Sequence, residues 1–135
     1  MYLAMKQDWP YKHFKISEME CKCSCGLLPR DSFMELLEKI REELGSSMIV
    51  NSGARCESYN KSIGSTSIAH SIGAADISCY GDKAYKLAKI AFSMGMSGKG
   101  IKQESATRLL GRYIHLDNIA TDEYISTPRP RLWSY

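Results

Sequence analysis

The sequence has no run of the roughly 20 apolar residues that a membrane-spanning helix needs. Its first residues, MYLAMKQDWPYKHF, lack the apolar segment and the small-residue cleavage site of a secretory signal. Internal repeats, low-complexity segments and long linkers are also absent. We therefore expect a chain that is made in the cytoplasm without a signal peptide, does not insert into membranes and keeps its cysteines reduced there.

The excess of one sign of charge is also small. The 18 Lys and Arg residues exceed the 15 Asp and Glu residues by three, and a net charge of +3 is too small to indicate nucleic acid as a partner. With 44% hydrophobic and 24% charged residues, the composition excludes disordered and fibrous classes. A length of 135 residues predicts a single domain, 1–135.

The five cysteines are an odd number, so at least one thiol stays free or pairs with another chain. Cys21, Cys23 and Cys25 alternate with other residues, and an extended strand would point all three the same way. No second pair at zinc-ribbon spacing accompanies them. We interpret them as structural thiols, with a second metal or a disulfide to Cys56 as the alternative. A redox or metal protein based on cysteine would need this cluster to meet Cys56 or Cys79.

Two helices are predicted from apolar residues at helical spacing. Ser32 with Glu35 reads as a capping box at the start of the first, and Gly45 ends it. Asp82 is the predicted cap of the second, which extends to Met94. The predicted buried stripes are Phe33, Leu36, Leu37, Ile40 and Leu44 in the first helix, and Leu87, Ala88, Ile90, Ala91 and Met94 in the second.

Short strands are predicted at 48–50, 74–79 and 112–117. Residues 58–63 are consistent with one or two helical turns, and 64–67 with a loop. The glycines at 95, 98 and 100 predict turns, with a short strand near Ile101. Helices and short strands in mixed order predict an α+β domain.

Polar residues with catalytic chemistry lie in the last of these strands. His115 and Asp117 are two residues apart, so they share one face at a separation of about 6.6 Å along the strand. That spacing lets one side chain bind a metal while the other orients a water or substrate. The alternative is the polar, solvent-facing side of an edge strand.

A second pair, His70 and Asp76, would lie about 20 Å apart in an extended chain. Zinc needs its ligand atoms about 2.0–2.2 Å away, so the chain would have to bend, and 71–73 offers a place. A loop histidine without a ligand role is the alternative. Together His70, Asp76 and His115 form the His/Asp/His set of a catalytic zinc site with an open position.

Arg55 follows Ser52-Gly53-Ala54 in a predicted tight turn after a buried strand. An arginine so placed can pair with a carboxylate of a substrate through two hydrogen bonds. The alternative is an ordinary surface arginine in a loop.

Three motifs in this order resemble the zinc D-Ala-D-Ala carboxypeptidase and L-Ala-D-Glu endopeptidase family, especially its small phage and bacterial members. They are NSGARCESYN from Asn51, HSIGAADI from His70 and YIHLD from Tyr113. The resemblance spans about 13–117, which leaves 118–135 as a C-terminal tail, although RPRLW from Arg129 is similar to the tail of some relatives.

The resemblance implies a hedgehog-type α+β fold with a central antiparallel sheet, flanking helices and one zinc ion. It implies His70, Asp76 and His115 as metal ligands, Arg55 as a catalytic residue, and Arg55 and Tyr113 as substrate-binding residues. The implied reaction is zinc-assisted hydrolysis of peptidoglycan stem peptides by a monomer, as in a phage endolysin. Such a protein acts on the cell wall after release from the cytoplasm, or within a virion.

Two departures from the family pattern accompany this resemblance. Asp76 is six residues after His70 where the family has seven, which indicates a loop shortened by one residue. Arg112 stands where many relatives carry an acidic residue, so we predict Asp117 as the general base, or else as a group that orients His115 or Arg55. Glu104 and Glu123 are further candidates. These departures leave a second hypothesis, a non-catalytic member that acts as a peptidoglycan-binding or structural virion module.

Overall fold

The structure, a computed structural model, describes residues 9–104 and 111–135. Its helices are α1 (Ile16–Met19), α2 (Asp31–Leu44), α3 (Glu57–Ser62), α4 (Ala69–Ile72) and α5 (Gly81–Ser93). Its strands are β1 (Ile49–Ser52), β2 (Ala74–Ser78), β3 (Gly98–Lys102), β4 (Tyr113–Asp117) and β5 (Arg131–Ser134). They form one sheet in the order β1-β2-β4-β3-β5. The predicted α+β class with a central antiparallel sheet is confirmed.

One face of the sheet packs on the hydrophobic core, and the other is a polar face. Ala75 and Ile77 of β2 and Ile114 and Leu116 of β4 are fully buried in the main hydrophobic core, which also includes residues of α2 and α5. Because side chains alternate across a strand, the intervening residues of β2 and β4 point to the opposite face. The alternation predicted for 112–117 is therefore confirmed, and it puts the polar residues of β4 together.

In the two long helices the N-cap residue lies two positions before the predicted cap, at Arg30 and at Tyr80. α2 starts at Asp31, after Arg30, and the Ser32 hydroxyl accepts a hydrogen bond from Asn118 (3.0 Å) rather than capping the helix. α5 starts at Gly81, and Asp82 pairs with Lys86 one turn later, with 3.0 Å between the charged atoms. The predicted caps were wrong because Ser32 and Asp82 both lie inside the first turn of their helix, where their side chains contact other groups.

The prediction of turns at Gly98 and Gly100 was also wrong, since both lie within β3. A Cβ atom on Gly98 would lie 2.2 Å from a carboxylate oxygen of Asp117, and one on Gly100 would lie 2.5 Å from the ring of Trp133. These glycines are therefore needed because large side chains of the neighbouring strands cover them.

The segment after β4, interpreted above as a tail, supplies the fifth strand. β5 pairs with β3 in parallel, the only parallel pair among the described strands, with Trp133 opposite Gly100. Arg129, just before β5, is almost completely buried. Residues 118–135 therefore contribute to the sheet and to the polar face described below.

Among the residues that the structure describes, no helix is long and apolar enough to cross a membrane. The segment 1–8, on which the expectation of a missing secretory signal partly depends, lies outside the described residues.

Candidate functional site

His70, Asp76 and His115 meet on the polar face of the sheet. Asp76 and His115 are directly opposite each other on β2 and β4, and His70 comes from α4, which only Gly73 separates from β2. Nε2 of His70 lies 3.4 Å and Nδ1 of His115 lies 2.9 Å from Oδ1 of Asp76. The ligand atoms of the three side chains all lie within 4.8 Å of one another.

The bend that joins His70 to Asp76 is a short helix followed by Gly73. The N–H of Gly73 donates to the carbonyl oxygen of Ala69 (3.0 Å), and its carbonyl oxygen accepts from the N–H of Asn118 (3.3 Å). A Cβ atom at this position would lie 2.8 Å from the side chain of Asn118. The interval of six residues therefore still brings the imidazole and the carboxylate together.

The second nitrogen of each imidazole is held by the protein. Nδ1 of His70 lies 2.7 Å from the carbonyl oxygen of Gly53, and Nε2 of His115 lies 2.8 Å from Oδ2 of Asp117. Histidine ligands in metalloproteins are oriented by hydrogen bonds of this kind, which leave the other ring nitrogen for the metal. Two imidazoles and one carboxylate, arranged in this way, fit the donor set of catalytic zinc.

The charges of His70 and Asp76 suit a cation, whereas the raised pKa of His115 favours its protonated form. Burial lowers the pKa of His70. For Asp76, burial acts to raise the pKa, but hydrogen bonds from His115 and His70 outweigh it and lower the pKa well below its usual range. Burial likewise opposes the charge on His115, but the carboxylates of Asp117 and Asp76 raise its pKa. A neutral His70 and an ionised Asp76 are the forms that bind a metal.

Asp117, the predicted base, lies behind His115 and is fully buried. Nε and Nη2 of Arg129 donate to its two carboxylate oxygens, at 2.9 and 2.7 Å. Burial acts to raise the pKa of Asp117, but the hydrogen bonds from His115 and Arg129 lower it to about 2. With both oxygens occupied, Asp117 is positioned for the second predicted role, the orientation of His115.

Arg55 lies beside the cluster, on the loop between β1 and α3. Its N–H donates to the carbonyl oxygen of His70 (2.9 Å), and its own carbonyl oxygen accepts from the hydroxyl of Ser71 (2.6 Å). These two hydrogen bonds join the backbone of Arg55 to α4. Nε of Arg55 is buried and has no hydrogen-bond partner among the described residues. A donor left unpaired in this position is available to a bound ligand.

Arg55 and the three residues of the His/Asp/His cluster line a cleft of about 320 Å³. Asp76 is the only acidic residue among the described lining residues, whereas three arginines contribute to the walls. Glu104 and Glu123 do not line it, and Glu123 is instead paired with Arg30 at 2.6 Å. The lining consists of Arg55, Ser65, Ser67, His70, Asp76, Tyr113, His115, Tyr124, Thr127, Arg129, Arg131, Trp133 and Tyr135.

Sequence reasoning missed the part of the cleft that β5 and the segment before it provide. The rings of Trp133 and His115 have centroids 5.1 Å apart, and those of Tyr135 and Tyr113 are 5.2 Å apart. The guanidinium of Arg131 lies 4.7 Å from the centre of the Trp133 ring. The alternation of these residues at 131, 133 and 135 was the available signal, since it places all three on one face of a strand.

Comparison with known families places this geometry in context. The model of the family described as Peptidase M15 matches residues 12–117, a stretch that includes Arg55 and all three residues of the His/Asp/His cluster. No curated protein and no solved structure matched the chain. Peptidases of the M15 family depend on zinc, which agrees with the donor set on the polar face of the sheet. Since the match extends over most of the sequence, the chain belongs to the peptidase M15 family.

Proposed function

We propose that this protein is a zinc peptidase that hydrolyses the stem peptides of peptidoglycan, with His70, Asp76 and His115 as the metal ligands. The observation that carries the proposal is the convergence of their three ligand atoms within 4.8 Å at the base of an arginine-lined cleft. When bound, zinc supplies Lewis acidity to a peptide carbonyl and lowers the pKa of water toward 7.

The protein's own groups prepare this site before a ligand arrives. The carbonyl oxygen of Gly53 orients His70, and the carboxylate of Asp117 orients His115, so that both imidazoles present the correct nitrogen. Preset orientation removes the cost of arranging these groups during the reaction. We therefore assign Asp117 to the orientation of His115 rather than to proton transfer from water.

Substrate recognition is assigned to the cationic wall of the cleft. The guanidinium of Arg55 has a buried Nε without a hydrogen-bond partner among the described residues, and it can hold a peptide carboxylate through two hydrogen bonds. The Tyr113 ring extends this wall beside Tyr135. Stem peptides of peptidoglycan carry free carboxylates, so they have the charge that this wall complements. Both the carboxypeptidase and the endopeptidase reactions fit such a site.

The test is zinc analysis of the purified protein together with hydrolysis of peptides that contain a D-Ala-D-Ala or an L-Ala-D-Glu bond. We expect cleavage of one of these bonds, and its loss in His70→Ala and His115→Ala. His13→Ala is the matched control, because His13 lies apart from the cluster, near Glu38 and Glu42. A protein that binds zinc and peptide but cleaves neither bond would instead be a non-catalytic peptidoglycan-binding member.

A further inference from the structure

A second group of metal-binding side chains lies apart from the cleft floor, where Cys21, Cys23, Cys25 and Cys56 converge. Sγ of Cys23 lies 3.4 Å from Sγ of Cys21 and 3.4 Å from Sγ of Cys56. The four sulfurs all lie within 4.8 Å of one another. The fifth cysteine, Cys79, is buried elsewhere and donates to the carbonyl oxygen of Ile77. The five cysteines are thus four clustered thiols and one thiol in the hydrophobic core.

The chain around the first three cysteines is a tight turn. They do not lie in an extended strand: the N–H of Cys21 donates to the carbonyl oxygen of Leu27 (2.9 Å), and the N–H of Ser24 donates to the carbonyl oxygen of Cys21 (3.3 Å). Ser24 and Gly26 have positive φ angles of 69° and 87°. The turn wraps the sulfurs toward one centre, which an extended chain does not do.

The spacing of the sulfurs suits a tetrahedral metal ion. Zinc binds thiolates at about 2.3 Å, so the sulfurs of a tetrathiolate site are about 3.8 Å apart. The observed separations, from 3.4 Å to no more than 4.8 Å, bracket this value. A set of four sulfurs arranged around one centre is typical of zinc or of iron–sulfur sites. Two separate disulfides would bring the sulfurs together in pairs instead.

Backbone N–H groups point at two of these sulfurs. The N–H of Cys56 lies 3.3 Å from Sγ of Cys21, and the N–H of Tyr59 lies 3.4 Å from Sγ of Cys56. The hydroxyl of Ser58 is 3.6 Å from the same Cys56 sulfur. Hydrogen bonds of this kind support the negative charge of metal-bound thiolates.

We propose that Cys21, Cys23, Cys25 and Cys56 bind a second zinc ion in a structural tetrathiolate site. The site joins the N-terminal segment to the loop between β1 and α3. Closed sites with four protein ligands leave no position for substrate, so this ion stabilises the fold. The proposal does not depend on whether the His/Asp/His cluster is catalytic.

The loop that this second ion would anchor is the one that supplies groups to the cleft. Arg55 immediately precedes Cys56, and the carbonyl oxygen of Gly53 holds His70. Next to Gly53, the N–H of Ala54 donates to the carbonyl oxygen of Met19 (2.8 Å), and a Cβ on Gly53 would lie 2.5 Å from that same oxygen. The tetrathiolate site therefore holds the turn at 21–27 against the loop that orients His70 and carries Arg55.

The test is metal analysis of the full chain purified under reducing conditions with zinc. We expect two zinc ions per chain, and one in Cys25→Ser, whose thiol is exposed so that its loss disturbs the core little. His70→Ala should also retain one ion, at the cysteine site. Cys79→Ser is the matched control and should keep two. Retention of the full zinc content by Cys25→Ser and Cys56→Ser alike would overturn the proposal.

A spectrum of the unaltered chain tests the same site without depending on whether a variant folds. Cobalt exchanged for zinc should produce the intense near-ultraviolet absorption of thiolate-to-cobalt charge transfer, and His70→Ala should keep this band while Cys25→Ser loses much of it. No such band, a mass showing disulfides among these cysteines after reducing purification, or iron in place of zinc would each contradict the assignment. This readout is independent of peptidase activity, so a failure here is distinguishable from a failure of the proposed function.

Discussion

Nε2 of His115 lies 2.8 Å from Oδ2 of Asp117, two residues further along the same strand. The contact turns Nδ1 of the same ring toward Asp76, 2.9 Å away, and so toward the centre of the proposed metal site. Asp117 is itself held by Arg129 through two hydrogen bonds. The orientation of His115, one of the proposed metal ligands, thus depends on the segment that precedes β5.

Asp117→Asn tests this chain of contacts. The amide keeps the size of the side chain but loses the charge, so we expect a fall of about 10- to 100-fold in zinc affinity at the His/Asp/His cluster. The measurement is the zinc concentration that restores half the activity after treatment with a chelator. Asp122→Asn, at an exposed carboxylate in the same segment, is the control. An unchanged zinc requirement with a lost acidic limb in the pH–rate profile would identify Asp117 as the general base instead.

Gly100→Ala tests the close approach of Trp133 to β3. The added methyl group would lie 2.5 Å from the indole, so we expect a loss of about 1–3 kcal/mol in the free energy of unfolding, measured with urea. Trp133→Ala should recover part of this loss in the double variant. Gly98→Ala should cost more than Gly100→Ala, because Asp117 is held by Arg129 and cannot move aside. Equal, small effects at both positions would contradict this account.

Arg55→Ala tests carboxylate recognition in the cleft. Hydrogen bonds to charged groups contribute about 1.5–3 kcal/mol, so KM for a peptide with a free C-terminal carboxylate should rise about 10- to 150-fold. The KM of Arg55→Lys should lie between those of the unaltered protein and Arg55→Ala, since lysine keeps the charge but lacks the paired donors of a guanidinium. For an amidated peptide, the unaltered protein and both variants should have similar KM values. Arg41→Lys, on α2, is the control, and an equal rise in KM for both peptides would argue against a carboxylate contact.

Cys79 provides a test at alkaline pH. Burial raises the pKa of its thiol from 9.0 to about 11. Because the unfolded chain ionises first, the stability that Cys79 contributes is complete below pH 9 and is lost as the pH rises through 11. Relative to Cys79→Ala, the free energy of unfolding should fall by about 2 kcal/mol between pH 8 and pH 10.5, as urea titrations at both values would show. A difference that does not change with pH would show that the thiol is solvated.

Part of the site was predictable from local pattern. The alternation of YIHLD predicted that His115 and Asp117 share a face, and the structure shows both on the polar side of β4. Arg55 and the His70–Asp76 pair were candidates from their residue types and their places in predicted loops, and the family resemblance then supported their roles. Spacing alone could not show that an interval of six residues brings His70 and Asp76 together, because this depends on how α4 and Gly73 turn the chain.

The sequence by itself determined the features that follow from repeating local geometry. The apolar stripe of α2 and the alternation of β2 and β4 are periodic, because every residue in a regular element faces a direction set by its place in the repeat. Only the tertiary structure decided which distant segments meet. Gly98 and Gly100 lie within a strand where Asp117 and Trp133 leave no room for a side chain, and residues after 130 complete the cleft because β5 adds to the sheet edge. Cys56 joins the three N-terminal cysteines because the chain folds back on itself between them, with Cys56 35 positions after Cys21, a contact that no local pattern encodes.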